Sequence, residues 1–215
     1  MKQLKLFVWF FLLALIIAGV FTTHKAEAVS YASFAQTVNH YRQTGNPDAA
    51  VTIIIYTDFQ CYWCRKFEEN DLPLIIKNYV RTGKIFIQFR DFPLTLIHKY
   101  AFKGAEYADC AAYQGKYLPV RSLLYKYQKD WSTIGDLYYF LKTRAKRMIN
   151  LEKEESCVKS GLAKKLIKSN MSSGMEAKVS GTPTLFIYRG IILYKKVTGY
   201  KPFPFLNTIL QGSLR

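Results

Sequence analysis

The sequence predicts an α/β fold interrupted by an inserted α-helical domain, and three observations carry that reading. Runs rich in β-branched and aromatic residues lie towards both ends of the chain, at 51–58, 84–90 and 184–197. Between the second and third runs, from His98 to about Lys178, strand-like alternation disappears and apolar residues recur at helical spacing. Two cysteines, Cys61 and Cys64, flank Tyr62-Trp63 where the first run gives way to a helix-like stretch.

Taken in order, Ser30 to Gln43 reads as a short helical or irregular lead-in, and Gly45-Asn46-Pro47-Asp48 as a turn cluster. Val51 to Asp58 carries little polarity, which suits a central strand buried on both faces. Cys61 to Val80 follows as a helix with Leu72, Ile75, Ile76, Tyr79 and Val80 on its apolar side. Pro73 inside it predicts a kink, because proline lacks an N–H and crowds the preceding turn. Arg81-Thr82-Gly83 closes that helix, and Lys84 to Arg90 alternates Ile85, Ile87 and Phe89 as a second strand. Helices are expected near 98–114, 117–129, 133–149, 151–159 and 161–178. Tyr107, Cys110 and Ala111 have the spacing of a buried face. The next apolar run, Leu118, Leu123, Leu124 and Tyr127, is punctuated by Pro119. Thr184 to Tyr188 and Ile191 to Val197 then form a hairpin around Arg189-Gly190, and the tail from Phe203 is helical. With the helical block removed, the order is β-α-β-β-β-α. The fold class is therefore α/β, a thioredoxin-like fold with an inserted α-helical domain. Its expected parts are an export segment (1–28), a first sheet-bearing part with the cysteine pair (29–97), the insertion (98–178) and a second sheet-bearing part (179–215).

The position of the cysteine pair gives it chemical meaning. At a strand-to-helix turn the first sulfur stands at a helix N-terminus, where unpaired N–H groups and the helix dipole favour a thiolate. The second lies one turn later, within reach of a disulfide. A structural disulfide rarely closes so small a ring, so the spacing points to redox exchange or to half of a metal site.

The remaining composition bears on compartment. Lys2 and Lys5 precede an apolar run, Leu6 to Phe21, and Ala26-Glu27-Ala28 offers small residues for cleavage after Ala28. The competing reading is a retained anchor, although the run is shorter than the ~20 residues that span a bilayer. Both readings place the working part of the chain outside the cytoplasm, where disulfides persist. The formal charge is +16, and removing Lys2, Lys5, Lys25 and Glu27 with the first 28 residues leaves +14. The basic residues are scattered, which suits a solvated, lysine-biased surface; attraction to anionic membranes or acidic partners is the sharper alternative. No nucleic-acid motif accompanies them.

Several segments together resemble the DsbA-like thiol–disulfide oxidoreductases, over nearly the whole chain after the export segment. They are Gly45-Asn46-Pro47 with Val51-Thr52-Ile53, Asp58-Phe59-Gln60-Cys61, Phe89-Arg90-Asp91-Phe92-Pro93-Leu94, His98 with Ala101, Ala105 and Ala108-Asp109-Cys110-Ala111, Gln114-Gly115-Lys116, and Val179-Ser180-Gly181-Thr182-Pro183-Thr184. The resemblance implies Cys61 as an exposed nucleophile and Cys64 as the more buried, resolving sulfur. It implies Tyr62 and Trp63 as the pair that tunes the potential, and Pro183 as a cis-proline facing Cys61, with the Thr182 backbone binding substrate. The redox-active disulfide is then the only cofactor, with no metal. The implied partners are reduced or unfolded exported proteins and a membrane reoxidase linked to quinone, and the protein is a monomer. Strongly oxidising members often place a histidine next to the buried cysteine, where this chain has Trp63. Thioredoxin-like enzymes commonly carry a buried acid six positions before the nucleophile, where this chain has Ile55. Asp58 is nearer and reads as a cap of the active-site turn.

Cys110 and Cys157 are read as a structural disulfide tying two helices of the insertion, worth ~4 kcal/mol by loop entropy. Free thiols, a second redox relay, or a zinc site shared with Cys61 and Cys64 are the alternatives. His98 reads as a helix-start residue without chemistry or as a polar group at the active-site rim. The leading function is oxidation of cysteine pairs in exported proteins. A reductase or isomerase of the same fold, or a non-catalytic peptide-binding module, are the other readings.

Overall fold

The structure, a computed structural model, describes residues 29–215. The expected export segment lies outside the described residues. Helix α1 (Tyr31–Tyr41) leads into a two-residue strand β1 (Gln43–Thr44), then β2 (Val51–Thr57). A continuous helical run follows, made of α2 (Tyr62–Lys66), a π-helical stretch (Phe67–Asp71), α3 (Leu72–Ile75) and a second π-helical stretch (Ile76–Val80). Strand β3 (Ile85–Asp91) precedes six helices: α4 (Ala101–Tyr113), α5 (Tyr117–Lys126), α6 (Gln128–Ile134), α7 (Leu137–Arg144), α8 (Leu151–Ser160) and α9 (Leu162–Glu176). The hairpin β4 (Thr184–Arg189) and β5 (Ile192–Thr198) and helix α10 (Phe203–Ser213) complete the chain.

The strands form one sheet in the order β1-β3-β2-β4-β5. β2 and β3 run parallel, from Val51 opposite Ile85 to Thr57 opposite Asp91, and the other pairs are antiparallel. Central β2 shows why its sequence reads as continuously apolar: Ile53 and Ile55 are fully buried and Tyr56 nearly so. β2 and β4 are antiparallel neighbours with Tyr56 opposite Thr184. The loop that leaves β2 therefore meets the loop that enters β4, and this juxtaposition brings Cys61 to Thr182.

Two expectations need correction. The helix after the cysteines is not simply kinked at Pro73. The Leu72 N–H bonds to the Phe67 carbonyl, a wide π-type turn, and Pro73 falls in the first turn of α3, so its missing N–H breaks no regular ladder. The run expected over 117–129 divides into α5 and α6, and α5 buries Tyr117, Val120, Arg121, Leu124 and Tyr125 rather than Leu118 and Leu123.

Residues Tyr31–Arg215 form one compact unit. A single apolar cluster joins β2 and β3 residues such as Ile53 and Phe89 to insertion residues such as Ala108, Leu124 and Trp131. Buried charge knits the same parts. Arg42 pairs with Asp91 and with Asp109 at 2.9 Å, tying β3 to α4. Arg121 pairs with Glu68 at 2.9 Å and its guanidinium lies 4.1 Å over the Phe89 ring. Cys110 and Cys157 are joined in a disulfide across α4 and α8. Among the described residues no helix is long and apolar enough to cross a membrane.

Candidate active site

The site is built on the four residues between β2 and α2. Asp58, fully buried at the strand end, accepts hydrogen bonds through Oδ1 from the N–H groups of Gln60 at 2.7 Å and Cys61 at 3.1 Å. Its Oδ2 accepts from the Leu94 N–H at 2.7 Å and meets His98 Nδ1 at 2.8 Å. One carboxylate thus closes the turn that carries Cys61 and pins the 94–98 loop against it. Gln128 of α6 completes the frame by donating through Nε2 to the carbonyls of Phe59 at 2.8 Å and Cys61 at 3.0 Å. A turn held from three sides is stiff, which is what a nucleophile at a fixed position needs.

Cys61 is the N-cap of α2, with extended backbone. Cys61 and Cys64 are free thiols, and both are buried. The expectation of an exposed nucleophile is corrected here. Cys61 is 6% exposed because the loop before β4 covers it, with the Thr182 carbonyl accepting from its Sγ at 3.3 Å. The Thr182-Pro183 peptide bond is cis. The two sulfurs are electrostatically unlike. A hydrogen bond from the Cys64 thiol lowers the Cys61 thiol to about 6; burial opposes it, and the Thr182 side chain and the N–H groups of Cys64 and Trp63 assist. Burial, together with the proton shared with Cys61, pushes Cys64 well above the usual thiol range. One sulfur therefore holds the charge and the other the proton, an arrangement suited to nucleophilic exchange.

Tyr62 and Trp63 are about half exposed, at 51% and 48%. Trp63 stacks on Tyr200 at 5.5 Å, and Lys66 Nζ lies over both rings. The pair between the cysteines thus forms an aromatic platform beside the sulfur, with no imidazole to add charge. Ile55 is buried in mid-strand, opposite Phe89 and Leu185, so no carboxylate occupies that place. Among the described residues no group of three or more His, Cys, Asp or Glu is placed to hold a metal ion.

His98 takes part in the frame of the catalytic turn through Asp58. It precedes α4, and its ion pair with Asp58 raises its pKa, against the effect of burial. Nothing local in the sequence pairs residues 40 positions apart. Gln128 and Arg121 were equally silent, although a charged Arg121 on a face with Tyr117, Val120 and Leu124 is a sequence sign of a buried ion pair.

Comparison with known proteins follows the same lines. A family model described as Thioredoxin matches residues 36–196. The Na(+)/H(+) antiporter NhaA 3 of Salinispora tropica is 29% identical over 144 residues, which is 66% of this chain but only 21% of that protein. The probable disulfide bond formation protein D of Bacillus cereus is 25% identical over 149 residues, covering 66% of this chain and 68% of that protein. Among solved structures, alpha-DsbA1 of Wolbachia pipientis superposes with a TM-score of 0.68 at 22% identity, covering 80% of this chain and 90% of that one.

Proposed function

We propose, from the premise that this chain belongs to the thioredoxin family and has the fold of its DsbA-like members, that it is an exported thiol–disulfide oxidoreductase that oxidises cysteine pairs. The observation that carries the reading is the split between the two sulfurs: Cys61 lowered to about 6 and Cys64 raised, with the Thr182 carbonyl 3.3 Å from Cys61 Sγ. A thiolate stabilised in the reduced enzyme makes its disulfide a ready electron acceptor.

In the oxidised enzyme a substrate thiolate attacks Cys61 Sγ. The Cys61–Cys64 bond breaks, a mixed disulfide forms, and Cys64 leaves with the electron pair and takes up a proton. A second substrate thiolate then attacks the substrate sulfur of the mixed disulfide. The substrate disulfide forms and Cys61 departs as the stabilised thiolate. Two electrons have moved from substrate to enzyme, and a membrane reoxidase of the quinone-linked class would remove them. The Thr182 carbonyl, 3.3 Å from Cys61 Sγ, lies where an extended substrate strand would run.

Measuring the potential of the Cys61/Cys64 pair against glutathione tests the direction. A value well above that of thioredoxin, about −270 mV, is expected. A value near thioredoxin's would sink the oxidase reading and leave a reductase, the reading favoured by Trp63 standing where an imidazole would add charge. Oxidative refolding of a reduced substrate should be lost in Cys61→Ser.

A further inference from the structure

We infer that the open cavity beside the catalytic turn is a subsite for acidic polypeptide, receiving Asp or Glu side chains that flank the cysteine of a substrate. The inference rests on the redox reading above and names the substrate class of that site.

The cavity has a volume of about 550 Å³, within the usual range for binding pockets. Gln60 and Tyr62, the neighbours of Cys61 on either side, form part of its wall. A chain joined to Cys61 in a mixed disulfide therefore has this cavity next to it. Arg65, Lys99 and Lys129 also line it, together with His98, and no Asp or Glu does. These cations come from three separate segments: α2, the loop before α4, and α6. Such a spread suits several carboxylates along a chain better than one compact anion.

The three permanent cations are also unspent. The ion pairs among the described residues engage Arg42, His98, Lys103, Arg121, Arg144 and Lys159. Arg65 instead lies 5.3 Å over the Tyr62 ring, and Lys99 lies 5.1 Å over Tyr100. These contacts orient both cations without neutralising them. His98 spends Nδ1 on Asp58, which leaves Nε2 for a ligand. Ser132, another lining residue, has a buried hydroxyl with no hydrogen-bond partner among the described residues. A cavity ringed by unpaired donors and free of carboxylates is complementary to acidic side chains.

The test uses short dithiol peptides of equal length whose cysteines are flanked by Asp and Glu, by Ser and Gln, or by Lys. The acidic peptide should show a kcat/KM about tenfold above the neutral one at low salt, falling towards parity at about 0.5 M salt. Arg65→Glu with Lys129→Glu should invert that order. Equal rates for acidic and neutral peptides in the starting protein would overturn the inference, as would an acidic preference that survives both substitutions. A second readout is independent of turnover: an acidic peptide with serine in place of cysteine, titrated into the protein by NMR. Amide shifts confined to 60–65, 97–100 and 128–133, lost in Lys129→Glu, would uphold the subsite even if no peptide were oxidised and the redox reading failed. Shifts elsewhere, or none, would refute it.

Discussion

Replacing Cys64 by alanine removes the strongest single support of the Cys61 thiolate and so probes the site more directly than deleting the nucleophile. The Cys61 thiol is lowered from 9.0 to about 6. At pH 7 about 90% of it is thiolate, against about 1% for an unperturbed group at 9.0, by the ordinary titration relation. The largest cause is the hydrogen bond from Cys64. A hydrogen bond to a charged acceptor is worth about 1.5–3 kcal/mol, or about one to two pH units. In Cys64→Ala the midpoint should therefore move from about 6 to about 7–8, with Thr182 and the N–H groups of the first helical turn holding the remainder. Thiolate absorbance in the ultraviolet, followed against pH, reads the midpoint, and the alkylation rate of Cys61 checks it. A midpoint still near 6 in the variant would refute the role given to Cys64, and one near 9 in the unaltered protein would refute the site's electrostatics altogether. The same shift has a stability consequence. Because the folded value is depressed, the stabilisation of the reduced protein is fully present above about 9 and is lost as pH falls through about 6. At pH 7 it amounts to about 1.4 kcal/mol, one pH unit above the folded value.

Three further outcomes are expected. The Cys110–Cys157 bridge spans 47 positions, so replacing both cysteines by alanine should cost about 4 kcal/mol in urea denaturation, and a loss below about 1 kcal/mol would count against the bridge as a staple. Glu154 of α8 is buried, with Gln114 Nε2 donating to it at 2.7 Å, and burial pushes its carboxyl up to about 8. Stability should then fall as pH rises from about 4.5 through about 8, so the advantage of Glu154→Gln should grow with pH to a few kcal/mol, on the order of 3; parallel pH profiles would refute it. The raised pKa of His98 comes first from Asp58, so the pair's stabilisation should be complete at acid pH and disappear as pH rises through the His98 value. NMR titration should show that value falling in Asp58→Asn, and an unmoved His98 would show that Asp58 does not set it.

The division between what was legible in the sequence and what was not follows the range of the forces involved. β2 and β4 announced themselves because strands buried on both faces need unbroken apolar runs, as Ile53, Ile55 and Phe186 supply. The two residues of β1, Gln43 and Thr44, form a strand only because β3 offers a partner edge, and no local pattern marks them. The π-helical turns at 67–71 and 76–80 escaped for a related reason: the 3.6-residue period barely changes over five residues, while Pro73 drew attention to a kink that the wider turn absorbs. At the site, the Cys61–Cys64 pair was legible from its spacing, and Pro183 only through the family resemblance of the segment that carries it. The parts that frame that chemistry are assembled across the chain. Asp58 meets His98, Gln128 holds the carbonyls of Phe59 and Cys61, and Thr182 covers the sulfur. Each joins segments whose separation in sequence carries no signal. Trp63 stacks on Tyr200 and Tyr62 meets Trp63 edge-on, so the half-exposed pair packs against Tyr200 rather than within that frame. A Trp63→Ala substitution should accordingly move the Cys61 midpoint less than Cys64→Ala does, and an equal or larger shift would refute this ranking.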